Sequence, residues 1–557
     1  MMDREVRLLE VARGWLADDP DPETAAELSV LLAQAEAGEH DALAELADAF
    51  DGTLQFGTAG LRGRLGPGSN RMNRVVVSRA AAGLAAFLVG KGASSPDELK
   101  IVVGYDARRN SEVFARDTAR IMTGAGITAM VLPELLPTPV LAFAIRELGC
   151  MAGVMVTASH NPRQDNGYKV YLGDGSQIVP PADAEIAECI EAVGALDSIP
   201  MSDGYRVLDG SVVDSYVARA VSLLGSGPRA VSAVYTALHG VGGAVFVRAV
   251  RQAGFDMPTK VAAQFDPDGR FPTVSFPNPE ESGAMDLSLA AARAQRVDVI
   301  IANDPDADRC AVGIGYDGDY RMLTGDEVGA LLGWWIAERG RLDGVPATGV
   351  YAQSIVSGTL LERIAADAGL GYVTTLTGFK WISKVPGLRF GYEEALGYCV
   401  DPEAVRDKDG ITASLLILEM VAALKARGRG PQDVLDELAG RFGLYATGQL
   451  SVRVSDLSLI SEAMARLRAN PPGSLGGREV LRFDDLEEGV DGLPPTDGLR
   501  FTLTDARVIV RPSGTEPKLK CYLQVVVPVT GEVAEARARA QGELDAIRAD
   551  VAEAVAL

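Results

Sequence analysis

GVMVTASHNPRQDNGYK, residues 153–169, begins as a buried strand and closes as another. Val154, Met155 and Val156 form an apolar run that breaks into Thr157-Ala158-Ser159-His160-Asn161-Pro162. Asn166-Gly167 is a turn signal, and Tyr168-Lys169-Val170-Tyr171 resumes an extended pattern. This reading puts the Ser159 hydroxyl at the mouth of a parallel strand, with the imidazole of His160 beside it and the ammonium of Lys169 further along. Such a placement suits covalent chemistry. An Asn/Pro turn with a capping serine is the plain alternative for the hexapeptide alone. Other polar, glycine-containing loops after buried strands weigh against it.

Those loops recur along the chain. Residues 101–106 read as a buried strand, 114–122 as a helix and 127–132 as a second strand, so the chain to Lys169 is a parallel α/β unit. A second copy starts near Val207 with a strand at 231–235, the loop 236–243 and an amphipathic helix. A third has a strand at 349–353 and Ser354, Ser357-Gly358-Thr359 before a helix. Three repeats suggest three related α/β domains. After Gly440 the pattern changes to strands at 449–454, 501–504, 506–510 and 520–527, a Gly/Pro/Asp-rich connection over 470–498 and a terminal helix from Val533. That is a smaller α+β domain. Residues 1 to about 50 read as an acidic helical extension packed on the first domain. The expected domains are therefore 1–205, 206–318, 319–440 and 441–557.

Composition narrows the function. A chain of 557 residues is too long for one core, and 47% hydrophobic with 23% charged residues is ordinary for a globular protein. A formal charge of −23 argues against nucleic acid and anionic membranes, which need a basic footprint. It also makes clustered arginines and lysines in loops more informative, since an anionic ligand must be met by local cations. Five cysteines without CxxC spacing read as reduced thiols of a cytoplasmic protein. The amino terminus lacks a signal-type apolar core, and no apolar run approaches a membrane span. With only His40, His160 and His239, any bound metal should be hard and oxygen-ligated.

The second strong signal is 297–309, a buried strand ending in Asn303-Asp304-Pro305-Asp306-Ala307-Asp308-Arg309. Period two in an extended chain would put Asp304, Asp306 and Asp308 on one side. Three carboxylates that close repel one another unless a cation sits among them, and hard oxygen ligands favour Mg²⁺. A solvated acidic turn is the alternative. Arg309 would add a guanidinium suited to a phosphate.

Further loops carry candidates. Residues 56–64 hold Gly57, Gly60, Gly63, Arg62 and Arg64, a backbone and guanidinium combination that can grip an oxyanion. Lys380 follows a strand end, and Glu393-Glu394 could accept from sugar hydroxyls or form an ordinary capping or salt-bridged pair. Residues 406–411 read as a charged structural turn. Arg511-Pro512-Ser513-Gly514-Thr515 follows a strand and fits a phosphate nest, with a polar hairpin loop as the alternative. No Walker lysine motif occurs.

Together and in this order, these loops resemble those of the α-D-phosphohexomutase superfamily, the phosphoglucomutases and phosphomannomutases. The likeness runs from about Phe56 to the last helix and rests on 157–162, 304–309, 391–397 and 511–515. The variants at 56–63, 377–381, 391–397 and 407–411 look most like the branch containing phosphopentomutase and glucose-1,6-bisphosphate synthase. The resemblance implies three related α/β domains with mixed, mainly parallel sheets plus a C-terminal α+β domain, arranged around a central cleft.

It also implies that Ser159 carries a phosphoryl group, passes it to a sugar monophosphate and recovers the other phosphate from a bisphosphate intermediate. Arg62, His160 and Lys169 match positions for proton transfer and charge stabilisation, and Ser159, Asp304, Asp306 and Asp308 match metal ligands. Arg309, Lys380, Glu393, Glu394, Arg511, Ser513, Gly514 and Thr515 match substrate contacts. The implied cofactors are Mg²⁺ and a sugar 1,6-bisphosphate, and the implied partners are small sugar phosphates, with the protein a monomer or homodimer. One departure is Ala395, where many hexomutases carry serine. The expected reaction interconverts hexose 1- and 6-phosphates of glucose or mannose. Phosphopentomutase or glucose-1,6-bisphosphate synthase activity is the alternative among enzymes, and a non-catalytic sugar-phosphate sensor is the alternative of another class.

Overall fold

The computed structural model describes residues 2–57, 60–92, 99–454, 457–513 and 518–555. It divides into two compact units, the first made of residues 1–224, 229–311 and 401–415 and the second of 225–228, 312–400 and 416–557.

In the first unit, three helices, Met2–Asp18, Pro22–Glu36 and His40–Ala49, enclose a small core of Ala12, Leu28, Leu32 and Leu46. Trp15 and Phe50 meet edge-to-face at 5.8 Å. This extension seats on the turn after the strand Leu61–Arg64: buried Arg71 pairs with Asp48 and with Glu45 at 3.3 Å. A Cβ on Gly68 would stand 2.4 Å from the Ala49 carbonyl oxygen, so that turn needs a glycine both for space and for its φ of +114°.

The sheet that follows runs, in spatial order, Leu61–Arg64, Asp165–Leu172, Ala152–Val156, Lys100–Tyr105, Thr128–Val131 and Arg206–Val207. Its three pairings from Ala152–Val156 outward to Arg206–Val207 are parallel, and the two that hold Asp165–Leu172 are antiparallel. One face packs Leu84, Phe114, Met122 and Ile186 from the flanking helices. The other lies under the helix Thr138–Glu147, whose Ile145 fills the place where Gly153 lacks a side chain. Within the same unit, Ala233–Thr236 pairs in parallel with Thr259–Lys260 and Val299–Ala302. The Ser159 and Asp304 loops thus both leave the carboxyl ends of buried parallel strands, where α/β folds place ligands.

The expectation of a turn at Asn166-Gly167 is corrected: both residues lie inside the strand Asp165–Leu172, opposite Gly63 and Arg62. Gly167 is required there for close approach, since a Cβ would meet the Thr157 carbonyl oxygen at 2.5 Å and that of Leu61 at 3.0 Å.

In the second unit, Gly371–Thr375, Val350–Ser354, Leu388–Glu393 and Gly397–Cys399 form a mixed sheet in that order. The helix Gly325–Leu342 begins with a reciprocal cap between Thr324 and Glu327. A six-stranded antiparallel sheet follows, led by Leu444–Arg453 and Lys518–Val527, with Leu544, Ile547 and Val551 of the helix Val533–Ala554 packed on it. The Gly/Pro/Asp-rich connection contains a strand, Arg478–Asp485, that composition concealed.

Glu419, 2% exposed, ties this unit together. It accepts from Trp335 Nε1 at 2.9 Å, Arg339 Nη1 at 2.9 Å and the Gly225 amide at 2.6 Å. Glu419→Ala would take the carboxylate from the Arg339 guanidinium and the indole N–H, and is expected to cost about 3–5 kcal/mol in a denaturant titration. A loss near zero would mean that water replaces the carboxylate.

Candidate active site

Ser159 sits in the left-handed region, with φ +51°. Its amide donates to Thr157 Oγ1 at 2.9 Å and its hydroxyl to Asp304 Oδ2 at 2.8 Å. His160 Nδ1 lies 3.3 Å from the same hydroxyl, and Arg62 Nη1 donates to Asn161 Oδ1 at 3.3 Å. The register of the returning strand sets Lys169 opposite Met155. Its Nζ bridges Asp306 Oδ2 at 2.7 Å and Asp308 Oδ2 at 3.0 Å. Ser159, His160, Arg62, Lys169, Arg309 and the three aspartates, spread over almost 250 residues of sequence, therefore share one neighbourhood.

The aspartates converge by a route other than the extended period-two arrangement. Residues 304–307 form a turn closed by the Ala307 amide on the Asp304 carbonyl at 2.9 Å, and Ala307 has φ +54°. The helix Thr138–Glu147 aims its first amide at the Asp306 carbonyl and its Thr138 hydroxyl at Asp306 Oδ2, the latter at 2.7 Å. All three carboxylates are buried, with one oxygen of each within 4.8 Å of the others. Oδ1 of Asp306 and Oδ1 of Asp308 are buried without a hydrogen-bond partner. Buried carboxylate oxygens left over in a converging trio are what a hard cation would take up, so these residues fit a metal ion.

Electrostatics agree with that geometry. Burial, then the Asp306 and Asp308 carboxylates, push Asp304 well above the usual carboxylate range. Burial works against ionisation of Asp306 too, but Lys169 overrides it and holds that group below its ordinary value. Burial likewise opposes the charge on Lys169, and Asp306 with Asp308 more than restores it, so Lys169 stays protonated. Arg309 lies 4.0 Å from Asp304 and 3.9 Å from Asp308.

Two cations were not singled out by the sequence reading. Lys408, in the turn read as structural, reaches Asp308 Oδ2 at 3.3 Å, steadied by Asp407 at 3.3 Å. Tyr171 and Gln177 hold Asp407 from the sheet, each at 2.7 Å. The other is Arg108, 3% exposed, after the strand Lys100–Tyr105. The signal available was the cluster Asp106, Arg108, Arg109 at the end of a buried strand.

The second unit holds the remaining candidates. Glu393 accepts from the Gly378 amide at 2.7 Å, and Glu394 from Ser354 and Ser357 hydroxyls at 3.1 and 3.0 Å. Burial, then Asp326, raises the Glu394 carboxyl. Lys380 lies 5.9 Å from the Trp381 ring centroid. Arg511 is the penultimate residue of the strand Ala506–Pro512, opposite Lys520, and the Ser513 amide donates to the Lys518 carbonyl at 2.9 Å. Gly514 and Thr515 lie outside the described residues, as do Thr58 and Ala59.

Comparison with known proteins gives these loops a common context. Residues 53–196, 214–317 and 324–442 match the family descriptions "Phosphoglucomutase/phosphomannomutase, alpha/beta/alpha" domains I, II and III, and residues 450–554 match its C-terminal domain. A probable phosphomannomutase of Haemophilus influenzae is 50% identical over 459 residues, 81% of this chain and 92% of that one. A phosphoglucomutase of Staphylococcus haemolyticus is 35% identical over 86% of this chain and 91% of its own. A phosphopentomutase of Homo sapiens is 33% identical over 94% and 92%. The crystal structure of a putative phosphomannomutase from Thermus thermophilus superposes with a TM-score of 0.70 at 24% identity, covering 90% of this chain and 99% of that one, and shows the same fold. The four domain matches, in order and spanning most of the sequence, establish that the chain belongs to the phosphoglucomutase/phosphomannomutase family and is a phosphosugar mutase.

Proposed function

We propose that the protein interconverts hexose 1-phosphate and hexose 6-phosphate, of glucose or mannose, with Ser159 as the phosphoryl carrier. The observation that carries this reading is the Ser159 hydroxyl 2.8 Å from Asp304, beside two carboxylates bridged by Lys169. The Ser159 Oγ–P bond breaks as a sugar hydroxyl forms a new O–P bond and gives up its proton, while the released Ser159 oxygen takes one up. The resulting bisphosphate returns its other phosphoryl group to Ser159, whose hydroxyl gives up its proton as the freed sugar oxygen takes one.

Such transfer is catalysed mostly by positioning and charge neutralisation. Asp304, Asp306, Asp308 and Ser159 would hold Mg²⁺, which when bound neutralises phosphoryl oxygens. Lys169 and Lys408, both anchored on aspartates, keep positive charge beside the serine, and His160 and Arg62 are assigned to proton transfer and charge stabilisation. Arg309, Lys380, Glu393, Glu394, Arg511 and Ser513, with Gly514 and Thr515, are assigned to substrate. A cytoplasmic location accords with the five free thiols, and among the described residues no helix is long and apolar enough to cross a membrane.

A pentose reading is kept because Ala395 removes a hydroxyl from the 391–397 loop and because a phosphopentomutase matches over 94% of the chain. Two measurements test the assignment. Incubation with glucose 1,6-bisphosphate and Mg²⁺ is expected to leave one phosphate on the peptide containing Ser159; phosphate elsewhere, or none, removes the carrier. Glucose-, mannose- and ribose-1-phosphate compared in one assay are expected to favour a hexose, and dominance by ribose-1-phosphate transfers the assignment to phosphopentomutase.

A further inference from the structure

Arg108 turns both terminal nitrogens of its guanidinium to one loop. Its Nη2 donates to the Ser159 carbonyl and, at 2.6 Å, to that of Asn161. Its Nη1 donates to the Pro162 carbonyl at 2.8 Å and the Asp165 carbonyl at 3.1 Å. Nε faces Asp106 Oδ2 at 3.4 Å, while Asp106 Oδ1 accepts from the Ser111 hydroxyl and the Arg108 amide at 2.6 and 2.9 Å. The guanidinium also lies 4.9 Å from the Phe271 ring centroid. Gly269 seals the far side, where a Cβ would stand 2.4 Å from the Ala107 carbonyl oxygen.

The loop needs such a hold. Left-handed backbone at a serine costs about 1–2 kcal/mol and persists only where its surroundings fix it. Thr157 fixes the amide side of Ser159, and Arg108 fixes the carbonyl side. Because the peptide is planar, drawing the Ser159 carbonyl towards Arg108 turns the His160 N–H the opposite way. Charge alone does not explain the arrangement: the partners are four neutral carbonyls, which a planar fork of five donors can satisfy together and a three-donor ammonium cannot.

We propose that Arg108 is a positioning residue for the phosphoryl-carrying serine, a role that rests on the reading of Ser159 given above. It touches neither the reacting hydroxyl nor the aspartates. Its effect is to hold Ser159 in the one backbone geometry that points the hydroxyl at Asp304.

The test uses the full-length protein as Arg108→Lys, Arg108→Ala and Ser159→Ala. Arg108→Lys is expected to fold and to lose roughly 100-fold in kcat, the scale of a misplacement near 1 Å. KM for hexose 1-phosphate should move less than about threefold, because substrate contacts are untouched. Added guanidinium ion is expected to recover part of the lost kcat in Arg108→Ala but not in Ser159→Ala. Parental kcat in Arg108→Lys, with Ser159→Ala inactive, overturns the positioning role alone. Failure of both Arg108 variants to fold, or a loss that guanidinium does not relieve, makes Arg108 a structural core residue and also overturns it. Turnover retained by Ser159→Ala instead removes the carrier itself, whatever the Arg108 variants do.

Discussion

Ser159→Ala is expected to leave a folded protein whose turnover is lower by roughly 10⁴-fold or more, the scale on which deleting a covalent nucleophile acts. The fold should survive because the loop is held elsewhere: by Arg108 on four carbonyls, by the Asn161 amide on the Ala158 carbonyl at 3.0 Å, and by Asn161 Nδ2 on Asp165 at 3.0 Å. The lost hydrogen bond to Asp304 leaves one buried carboxyl oxygen without its donor, at about 1–3 kcal/mol. That is small for a chain of this size, but large enough to appear as a lower thermal midpoint. Turnover should fall far more, because no other hydroxyl lies within hydrogen-bonding distance of Asp304 among the contacts of the described residues. The measurement is kcat by a coupled assay on hexose 1-phosphate, run beside labelling by glucose 1,6-bisphosphate. Labelling should vanish with turnover, and a variant that still turns over without label would show transfer that bypasses the serine.

How far the sequence carried this site differs residue by residue. Ser159 and the aspartates were legible because each follows an apolar run long enough to be a buried strand, so polar residues after it had to lie at a strand mouth. The way the aspartates converge was not legible. Spacing of two suggests an extended chain, yet Ala307 adopts a left-handed conformation and folds the carboxylates together through a turn. That conformation is imposed by partners distant in sequence: Gly410, whose amide reaches the Ala307 carbonyl at 3.1 Å, and Thr138 on Asp306.

Asn166-Gly167 misleads for a related reason. The pair is a strong hairpin signal locally, but here the glycine serves the close approach of two neighbouring carbonyls inside a strand. Lys408 sat in a segment that reads as a charged turn, where charge is ordinarily solvated, and Arg108 in the connection between a strand and a helix, which the sequence reading left without a role. Only contacts with Asp308, and with carbonyls more than fifty residues away, set them apart. Helices of the amino-terminal extension were readable from periodicity, whereas its seat on Arg71 and Gly68 depends on tertiary contacts that no local pattern encodes.

Gly410→Ala is expected to lower turnover by displacing the aspartate loop. A Cβ there would stand 2.1 Å from the Arg309 carbonyl oxygen, 2.6 Å from its carbon and 2.7 Å from Asn303 Nδ2. These neighbours are not flexible tips. The Arg309 carbonyl accepts from Asn303 Nδ2 at 2.7 Å, and Asn303 in turn accepts from Tyr235 at 2.9 Å. Close-packed interiors yield little, and an inserted methyl costs about 1–3 kcal/mol through backbone shifts. Here the segment that must shift is 304–309, flanked on its other side by Gly240, where a Cβ would meet Pro305 at 2.4 Å. A displacement near 1 Å spreads the three carboxylates and moves Asp304 from Ser159, so turnover should fall about 100-fold. The Mg²⁺ concentration giving half-maximal activity should rise with it. Gly14→Ala, on a helix with nothing within 4 Å of the new methyl, is the matched control and should keep both values while gaining slightly in stability. If Gly410→Ala keeps the parental Mg²⁺ dependence and kcat, the aspartate loop tolerates movement, and its rigidity is not what aligns the carboxylates with the serine.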